Sequence, residues 1–177
     1  GTFDEYKLQH HEVSDLPLGR EDAIKIVVDK LREDDIVVST TGMISRELFE
    51  YREAKQQGHA HDFLTVGSMG HASQIALGIA LQKPEKRVIV FDGDGAAIMH
   101  LGNMAIVASQ APKNFIHIIY NNGAHDSVGG QPTVGLKINL PQIGAAMGYK
   151  TILNATSSRE LQEALNKLEA CAKPALL

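Results

Sequence analysis

The segment VIVFDGDGAAIMH (residues 88–100) places a run of apolar residues directly before two aspartates that alternate with glycine. Its first four residues are β-branched or aromatic, which predicts a strand buried on both faces, as in a parallel sheet. The small apolar residues that follow predict a helix from Ala97. An acid–glycine–acid–glycine turn at the end of a buried strand fits three interpretations: a metal site, a phosphoryl-transfer nucleophile, or a helix N-cap.

Short apolar runs alternate with helical patterns along the rest of the chain. The predicted strands are residues 36–40, 63–67, 87–93, 115–121 and 150–155, and the predicted helices are residues 19–34, 44–54, 71–82, 97–110 and 158–172. Such alternation is typical of βαβ units. We therefore predict an α/β fold, a doubly wound parallel sheet flanked by helices. Residues 1–20 are expected to be a linker, and residues 21–177 a single domain.

The composition argues against several classes of protein. The 177 residues carry a formal net charge of −4, so no basic excess favours binding to nucleic acid or to an anionic membrane. Cys171 is the single cysteine, which allows no disulfide framework; we expect it to be buried in the last helix. No apolar run reaches the roughly 20 residues that span a bilayer, and no signal peptide is recognised. We therefore expect a cytoplasmic protein.

Four predicted strands are followed by segments rich in glycine or small polar residues. These segments are TTGM (40–43), GSMGH (67–71), DGDGA (92–96) and NNGAHDSVGGQPT (121–133). In an open parallel sheet, ligands bind beyond the carboxyl ends of the strands, where the strand order reverses. Glycine lets a ligand approach the backbone closely. The four segments together therefore predict a cofactor site at this edge of the sheet.

Several other motifs are absent or incomplete. A dinucleotide fingerprint starting at Gly93 would need glycine where Ile98 stands, and no G-K-[ST] phosphate loop occurs. The strand followed by D-x-D-G resembles the opening motif of haloacid-dehalogenase-type phosphatases, in which Asp92 would be the nucleophile and Asp94 the acid/base. That motif requires a second acidic pair after a later strand, and none is present.

Three histidines close together in the sequence raise the possibility of a zinc site. No fourth ligand accompanies them, so zinc is not expected. The three are His59, His61 and His71.

Asp94 and Asn122 follow two successive strands and together suggest a magnesium site. Magnesium prefers oxygen ligands and is usually held by one or two protein groups together with phosphate oxygens. An aspartate and an asparagine supply such a half-shell and leave positions for a diphosphate. Residues 96–120, 25 in all, separate the G-D-G triplet from Asn121 and Asn122. This arrangement is similar to the diphosphate-binding signature of thiamine-diphosphate-dependent enzymes.

From about residue 20 onward, the chain resembles the pyrophosphate-binding domain of thiamine-diphosphate-dependent 2-oxo acid decarboxylases. The segments that carry the resemblance are TTGMISREL, DFLTVGSMGHASQIALGIAL, FDGDGAAIMHLGNMA and NNGAHDSVGGQPTVG. Within that family they are most similar to the phosphonopyruvate decarboxylases, with the sulfopyruvate decarboxylases near them. The resemblance implies non-oxidative decarboxylation of phosphonopyruvate to phosphonoacetaldehyde, with thiamine diphosphate and Mg²⁺ as cofactors.

The resemblance also assigns roles to individual residues. The Asp94 carboxylate, the Asn122 side chain and the Ala124 carbonyl would bind Mg²⁺. The Gly67 carbonyl would accept a hydrogen bond from the aminopyrimidine, and Met69 would hold the cofactor in a bent form. The residues implied to contact the cofactor are Thr41, Gly42, Gly67, Ser68, Met69, Gly93, Asp94, Gly95, Ala96, Asn122 and Ala124.

Two further expectations concern the substrate and the partner. His125 lies next to the implied metal ligands and could bind the substrate carboxylate or carry a proton, because histidine exchanges protons near neutral pH. In the family, a glutamate from a pyrimidine-binding domain activates the cofactor, and that domain is absent from this chain. We therefore expect either a fragment or a subunit of a split enzyme, active in a homo- or hetero-oligomer. A sulfopyruvate decarboxylase subunit and a catalytically silent cofactor-binding module remain the alternatives.

Overall fold

A computed structural model describes residues 16–177 of the chain. The linker expected at residues 1–20 therefore lies largely outside the described residues, and the boundary at residue 20 stays a prediction. Within the described part, Arg20 is already the first residue of a helix. Among the described residues, no helix has the length and apolar character needed to cross a membrane.

Seven α-helices and eight strands are formed within residues 16–177. The helices are α1 (Arg20–Val28), α2 (Met43–Lys55), α3 (Ala72–Gln82), α4 (Asp94–Met99), α5 (Gly102–Gln110), α6 (Leu140–Met147) and α7 (Ser158–Leu168). The strands are β1 (Ile36–Ser39), β2 (Asp62–Leu64), β3 (Val88–Gly93), β4 (Phe115–Tyr120), β5 (Ala124–His125), β6 (Gln131–Pro132), β7 (Thr151–Ile152) and β8 (Ala175–Leu176). A short 3₁₀ helix, Asp126–Val128, lies between β5 and β6.

Six of the strands form one sheet in the order β2-β1-β3-β4-β8-β7, and all neighbouring strands in it are parallel. β5 and β6 form a separate antiparallel hairpin. The prediction of a doubly wound parallel sheet is confirmed. The chain runs from β1 outward to β2 and returns on the other side of β1 to form β3. The strand order therefore reverses between β1 and β3, which is where open sheets of this kind bind ligands.

The two faces of the sheet carry separate apolar cores. Ile89 and Phe91 of β3 pack with helices α1, α2 and α7 on one face. Val88 and Val90 of the same strand pack with α3 and α5 on the other face. All four side chains are buried, because successive residues of a strand point to opposite faces and helices cover both. The apolar run in β3 is therefore continuous because the strand is buried on both faces, as the sequence predicted.

The predicted strands at residues 63–67 and 150–155 are longer than the observed ones. β2 ends at Leu64, although the Thr65 N–H still donates to the Ser39 carbonyl at 3.1 Å. Val66 is then fully exposed and Ser68 has a φ of 54°, so the backbone turns away from the sheet. At the other edge only Thr151–Ile152 forms a strand.

The helix predicted from Ala97 to residue 110 is two helices. α4 begins three residues earlier, at Asp94, and ends before His100, whose φ of −129° is not helical. Gly102 then starts α5, and its low helix propensity favours a break near this point. The last helix also ends sooner than predicted, at Leu168. Cys171 therefore lies beyond the last helix and is half-buried, contrary to expectation.

Two elements near the end of the chain were not predicted. Helix α6 has a proline in its first turn and an Asn139 N-cap that accepts a hydrogen bond from the Gln142 N–H at 2.9 Å. Both are recognised helix-start signals. β8 is only two residues long, yet it lies between β4 and β7 and completes the sheet.

A buried hydrogen-bond network joins β3, β4 and Tyr149, which follows α6. His117 Nε2 lies 3.1 Å from Asp92 Oδ2, and His117 Nδ1 lies 3.0 Å from the Tyr149 hydroxyl. None of the three side chains is more than 5% exposed. Burial raises the pKa of the Tyr149 hydroxyl, and the nearby Asp92 charge adds to the effect. Asp92 Oδ1 also accepts from the Gly93 N–H at 3.0 Å, so the network reaches the glycine turn.

We predict that Tyr149→Phe lowers the free energy of unfolding by about 1–3 kcal/mol, because it leaves His117 Nδ1 buried without a partner. Urea denaturation followed by circular dichroism measures the change. Tyr51→Phe is the matched control: the Tyr51 hydroxyl bonds to the carboxylate of Asp29 at the surface, at 3.0 Å. The free energy of unfolding of Tyr51→Phe should fall by no more than about 0.5 kcal/mol. Equal losses in the two variants would contradict the prediction.

Candidate functional site

The loops after β1, β3 and β4 enclose a cleft at the switch point of the sheet. It contains most of the residues singled out from the sequence. Those that line it are Thr41, Met69, Gly93, Asp94, Gly95, Ala96, Asn122, Ala124 and His125. The sequence places these residues directly after separate strands. That placement was sufficient to predict that they meet at the carboxyl edge of the sheet.

The remaining predicted residues line an adjoining groove instead. These residues are Gly42, Gly67 and Ser68. Thr41, Met69 and Ser127 border both the cleft and the groove. The two depressions are therefore continuous, and a ligand longer than the cleft would extend past Met69 into the groove.

Asp94 is the buried acid of the cleft. It is the first residue of α4 and only 1% exposed, and its Oδ2 accepts a hydrogen bond from the Thr133 hydroxyl. Burial raises the pKa of the Asp94 carboxyl, while the hydrogen bonds from Thr133 and the Gly95 N–H act in the opposite direction. The N-cap of α4 is Gly93 and receives no side-chain cap, so the N-cap interpretation of Asp94 is wrong.

A loop after β6 closes over Asp94 and was not predicted from the sequence. Thr133 Oγ1 accepts from the Gly135 N–H at 3.0 Å, and Asn121 Nδ2 donates to the Gly135 carbonyl at 2.8 Å. A Cβ at Gly135 would lie 2.6 Å from Asn121 Oδ1 and 2.9 Å from Asp94 Cβ. Only glycine fits there. The sequence gives only a weak signal for this loop, because no local pattern shows that Thr133 and Gly135 contact Asp94, which is far away in the chain.

Asn122 lies in the turn after β4, and Ala124 is the first residue of β5. Asn122 Nδ2 donates to Asp126 Oδ2 at 2.8 Å, and the Ala124 N–H donates to Asn122 Oδ1 at 3.2 Å. Ala124 lies opposite Pro132 in the hairpin, and the flanking Thr133 N–H bonds to the Gly123 carbonyl at 2.8 Å. This register makes Ala124 a non-hydrogen-bonded position, so its carbonyl points away from the partner strand.

His125 packs directly on the glycine turn. A Cβ at Gly95 would lie 3.3 Å from His125 Nε2 and still closer to other ring atoms. The imidazole therefore forms a wall of the cleft, in contact with the backbone that follows Asp94. Glycine at position 95 is required by this close approach.

Two buried hydroxyls in the cleft have no hydrogen-bond partner among the described residues. They are Thr40 Oγ1 and the Tyr120 hydroxyl, which are 3% and 7% exposed as residues. Burial, with a contribution from the Glu47 charge, raises the pKa of Tyr120. Buried polar groups in folded proteins nearly always have a partner. The two hydroxyls thus indicate that this cleft is built to receive polar atoms of a ligand.

Asp92, the first acid of the motif, does not face the cleft. Its side chain is 1% exposed and pairs with His117 on the other side of the strand end. A nucleophile must reach its substrate, so the phosphatase interpretation of Asp92 has no structural support.

The three histidines considered for zinc lie in different surroundings. His59 pairs with Glu53 at 2.9 Å, and the His61 ring bonds to the Glu33 carbonyl at 2.9 Å. The His71 ring lies 4.4 Å from the His100 ring, at a tilt of 58°. Within residues 16–177, no group of three or more His, Cys, Asp or Glu side chains is placed to hold a metal. That finding leaves open sites that use asparagine or backbone oxygens.

Residues 40–177 match the family described as "Thiamine pyrophosphate enzyme, C-terminal TPP binding domain". The chain therefore belongs to the thiamine-pyrophosphate (thiamine-diphosphate) enzymes and contains their C-terminal cofactor-binding domain. The resemblance stated from the sequence is confirmed. A thiamin diphosphate-dependent enzyme from Mycobacterium smegmatis has the same fold, with a TM-score of 0.74 at 21% identity, and the match covers 96% of this chain and 33% of that one. The benzoylformate decarboxylase from Polynucleobacter necessarius also has this fold, with a TM-score of 0.71 at 14% identity, and the match covers 95% of this chain and 34% of that one.

Among curated proteins, the chain is 41% identical over 155 residues to the phosphonopyruvate decarboxylase of Streptomyces viridochromogenes. That match covers 88% of this chain and 38% of the decarboxylase, so the chain spans well under half of that relative's length. It is also 38% identical over 156 residues to the sulfopyruvate decarboxylase subunit beta of Methanocaldococcus jannaschii. The second match covers 86% of this chain and 79% of the subunit.

We predict that Gly135→Ala lowers the free energy of unfolding by about 1–3 kcal/mol, because the added methyl displaces the loop from Asp94 and Asn121. Gly78→Ala is the control. Gly78 is an exposed helical glycine with no atom within 4 Å of an added Cβ, so alanine should stabilise α3 by about 0.5–1 kcal/mol. Thermal and urea unfolding of both variants measure the two changes. A neutral Gly135→Ala would mean that the loop does not close over Asp94.

Proposed function

We propose that this domain binds thiamine diphosphate and Mg²⁺ and decarboxylates phosphonopyruvate to phosphonoacetaldehyde and carbon dioxide, without oxidation. One observation carries the proposal: the N-termini of α2 and α4 both reach the same cleft and neither has a side-chain cap. Uncapped first-turn N–H groups attract anions, and a diphosphate is a ligand that two such termini suit. The 41% identity to a phosphonopyruvate decarboxylase supports the choice of substrate.

The oxygen atoms around Asp94 fit a magnesium ion. Asp94 provides a buried carboxylate whose pKa is raised by burial, so a cation beside it would offset the cost of its charge. Asn122 Oδ1 and the Ala124 carbonyl lie in the same cleft, and the carbonyl is not used by the hairpin. Magnesium takes oxygen ligands of these kinds and completes its shell with phosphate oxygens and water. Asp94, Asn122 and Ala124 would therefore hold the ion.

The backbone around the two helix starts would bind the diphosphate. Thr41 and Gly42 precede α2, and Gly42 has a φ of 102° that favours glycine. The unpartnered hydroxyls of Thr40 and Tyr120 add possible donors within the same cleft. On the α4 side, the contributing residues would be Gly93, Gly95 and Ala96.

The groove beyond Met69 would take the rest of the cofactor. The turn at Ser68 and Gly70, with φ values of 54° and 86°, places Met69 between the cleft and the groove. Met69 can therefore support a bent cofactor, while the Gly67 carbonyl and Ser68 border its aminopyrimidine end. When bound, thiamine diphosphate supplies the electron sink that the loss of carbon dioxide requires. His125 stands beside Gly95, where it can orient the substrate carboxylate or carry a proton.

The activating glutamate would come from a pyrimidine-binding domain of the same or another chain. The match to only 38% of the phosphonopyruvate decarboxylase, and to 79% of a protein named as a beta subunit, supports both arrangements. The active site would then form at an interface in a homo- or hetero-oligomer. We propose a cytoplasmic enzyme acting on a small 2-oxo acid rather than on nucleic acid or a membrane, in keeping with the net charge of −4.

A sulfopyruvate decarboxylase subunit is the second candidate, because 38% identity extends over most of the M. jannaschii subunit. Phosphonate and sulfonate are both tetrahedral anions, so the two substrates would make similar demands on the site. A cofactor-binding module without catalysis is the third candidate.

We predict that the full-length protein, or this chain with its pyrimidine-domain partner, releases carbon dioxide fastest from phosphonopyruvate. Phosphonopyruvate, sulfopyruvate and pyruvate are compared at equal concentration with thiamine diphosphate and Mg²⁺. Asp94→Ala should lower the rate by more than about 100-fold, because the metal loses its buried carboxylate ligand. Asp34→Ala, which removes a surface carboxylate paired with Lys86 at 3.1 Å, should leave the rate unchanged.

The outcomes separate the three candidates. Release mainly from sulfopyruvate would keep the mechanism and replace the substrate. Binding of thiamine diphosphate without release from any of the three acids would favour the silent module. A protein that binds neither the cofactor nor the metal would contradict the proposed function.

A further inference from the structure

We infer that Asp126 and Arg20 are positioning residues that fix the Asn122 amide with its oxygen available to the metal. The inference rests on the proposed function, because it takes Asn122 as a magnesium ligand. It adds two side chains that do not touch the metal themselves. One of them, Arg20, lies before residues 40–177, the region that matches the cofactor-binding family.

An asparagine amide can face a metal in two ways, and only one of them binds. Its oxygen is a ligand, whereas its NH₂ group is a pure donor and repels a cation. Here Asn122 Nδ2 donates to Asp126 Oδ2 at 2.8 Å, and Asn122 Oδ1 accepts from the Ala124 N–H at 3.2 Å. Both bonds select the same orientation of the amide. A carbonyl oxygen has two lone pairs, so Oδ1 keeps one for a metal.

Asp126 would be a weak anchor by itself, because its side chain is 39% exposed. Arg20 holds it in place by an ion pair to the same Oδ2 that accepts from Asn122. Arg20 is in turn held by Glu47. Arg20 Nε donates to one carboxylate oxygen of Glu47 at 2.9 Å, and Arg20 Nη2 donates to the other at 2.7 Å. Such two-point pairing fixes the guanidinium plane more firmly than a single ion pair does.

The pairing is more than a surface ion pair. The side chains of Arg20 and Glu47 are only 16% and 11% exposed. They connect the first residue of α1 and the first half of α2 to Asp126, the first residue of the 3₁₀ helix that follows β5. Charged groups within such a partly buried network hold their geometry better than exposed pairs do, because solvent and salt screen them less. The network therefore ties the Asn122 amide to two helices and restricts its movement.

Loss of Asp126 should release the amide and weaken metal binding. Groups that orient a metal ligand typically change metal affinity about 10- to 100-fold when they are removed. We expect Asp126→Ala to raise the Kd for Mn²⁺, used as a probe for Mg²⁺, at least about 10-fold. Asp126→Asn keeps the shape and an acceptor oxygen but loses the charge, so its Kd should fall between those of Asp126→Ala and the wild type. Arg20→Lys should also be intermediate, because lysine keeps the charge and lacks the fork.

The experiment measures free Mn²⁺ by electron paramagnetic resonance in the full-length protein saturated with thiamine diphosphate. Asp29→Ala is the matched control, because Asp29 also pairs with a helix cation, Lys55 of α2, and is similarly exposed, at 46%. Thermal unfolding without cofactor reports the stability of each variant. Steady-state kinetics add a second test: the apparent KM for Mg²⁺ should rise much more than kcat falls at saturating Mg²⁺.

Each outcome has a defined meaning. A Kd for Mn²⁺ in Asp126→Ala within twofold of the wild type would overturn the inference and leave the proposed function intact. An equal increase in Kd for the Asp29→Ala control would also overturn it, since the effect would then be general destabilisation. Absence of cofactor-dependent Mn²⁺ binding in the wild type would contradict the proposed function itself. A selective increase in the Asp126 variants, with unfolding temperatures like that of the control, supports the inference.

Discussion

The burial of one carboxylate, that of Asp94, at the point where β3 becomes α4 is the constraint on which the rest of the site depends. A charged group taken out of water is costly unless donors or a cation compensate it. Thr133 and the Gly95 N–H supply two donors. The loop through Gly135 closes over the same carboxylate, and the turn after β4 brings further oxygen atoms beside it. The cleft is therefore organised around a negative charge that the protein compensates only in part.

The two aspartates of one short motif have separate tasks, and their separation has a simple geometric cause. Asp92 is still in the strand, so its side chain follows the strand alternation and points to the face that holds His117. Asp94 is already helical, so the alternation no longer applies and its carboxylate turns into the cleft. Gly93 between them is the N-cap of α4, and its N–H bonds to Asp92. One aspartate thus supports the turn from behind, while the other faces the cleft.

Charged and polar contacts hold the cleft on both sides of this turn. Behind it, Asp92 continues through His117 to Tyr149, a network that links the centre of the sheet to the end of α6. In front of it, Arg20 joins α1 to α2 and to Asp126, at the start of the 3₁₀ helix after β5. The cleft is formed mainly by loops, yet these contacts connect the loops to helices and strands. Such ties limit the movement of the polar atoms that face the cleft.

The sequence by itself determined the parallel sheet, its buried central strands and the residues that meet at its carboxyl edge. These are local signals: apolar runs between helical patterns mark buried strands, and ligand-binding residues of such sheets follow the strands directly. Tertiary structure alone decided that Thr133 and Gly135 close over Asp94, that His125 packs on Gly95, and that Arg20 reaches Asp126. It also decided the position of β8. The reason is that such contacts join residues far apart in the chain, and local patterns specify which face a residue occupies but not which distant side chain it meets.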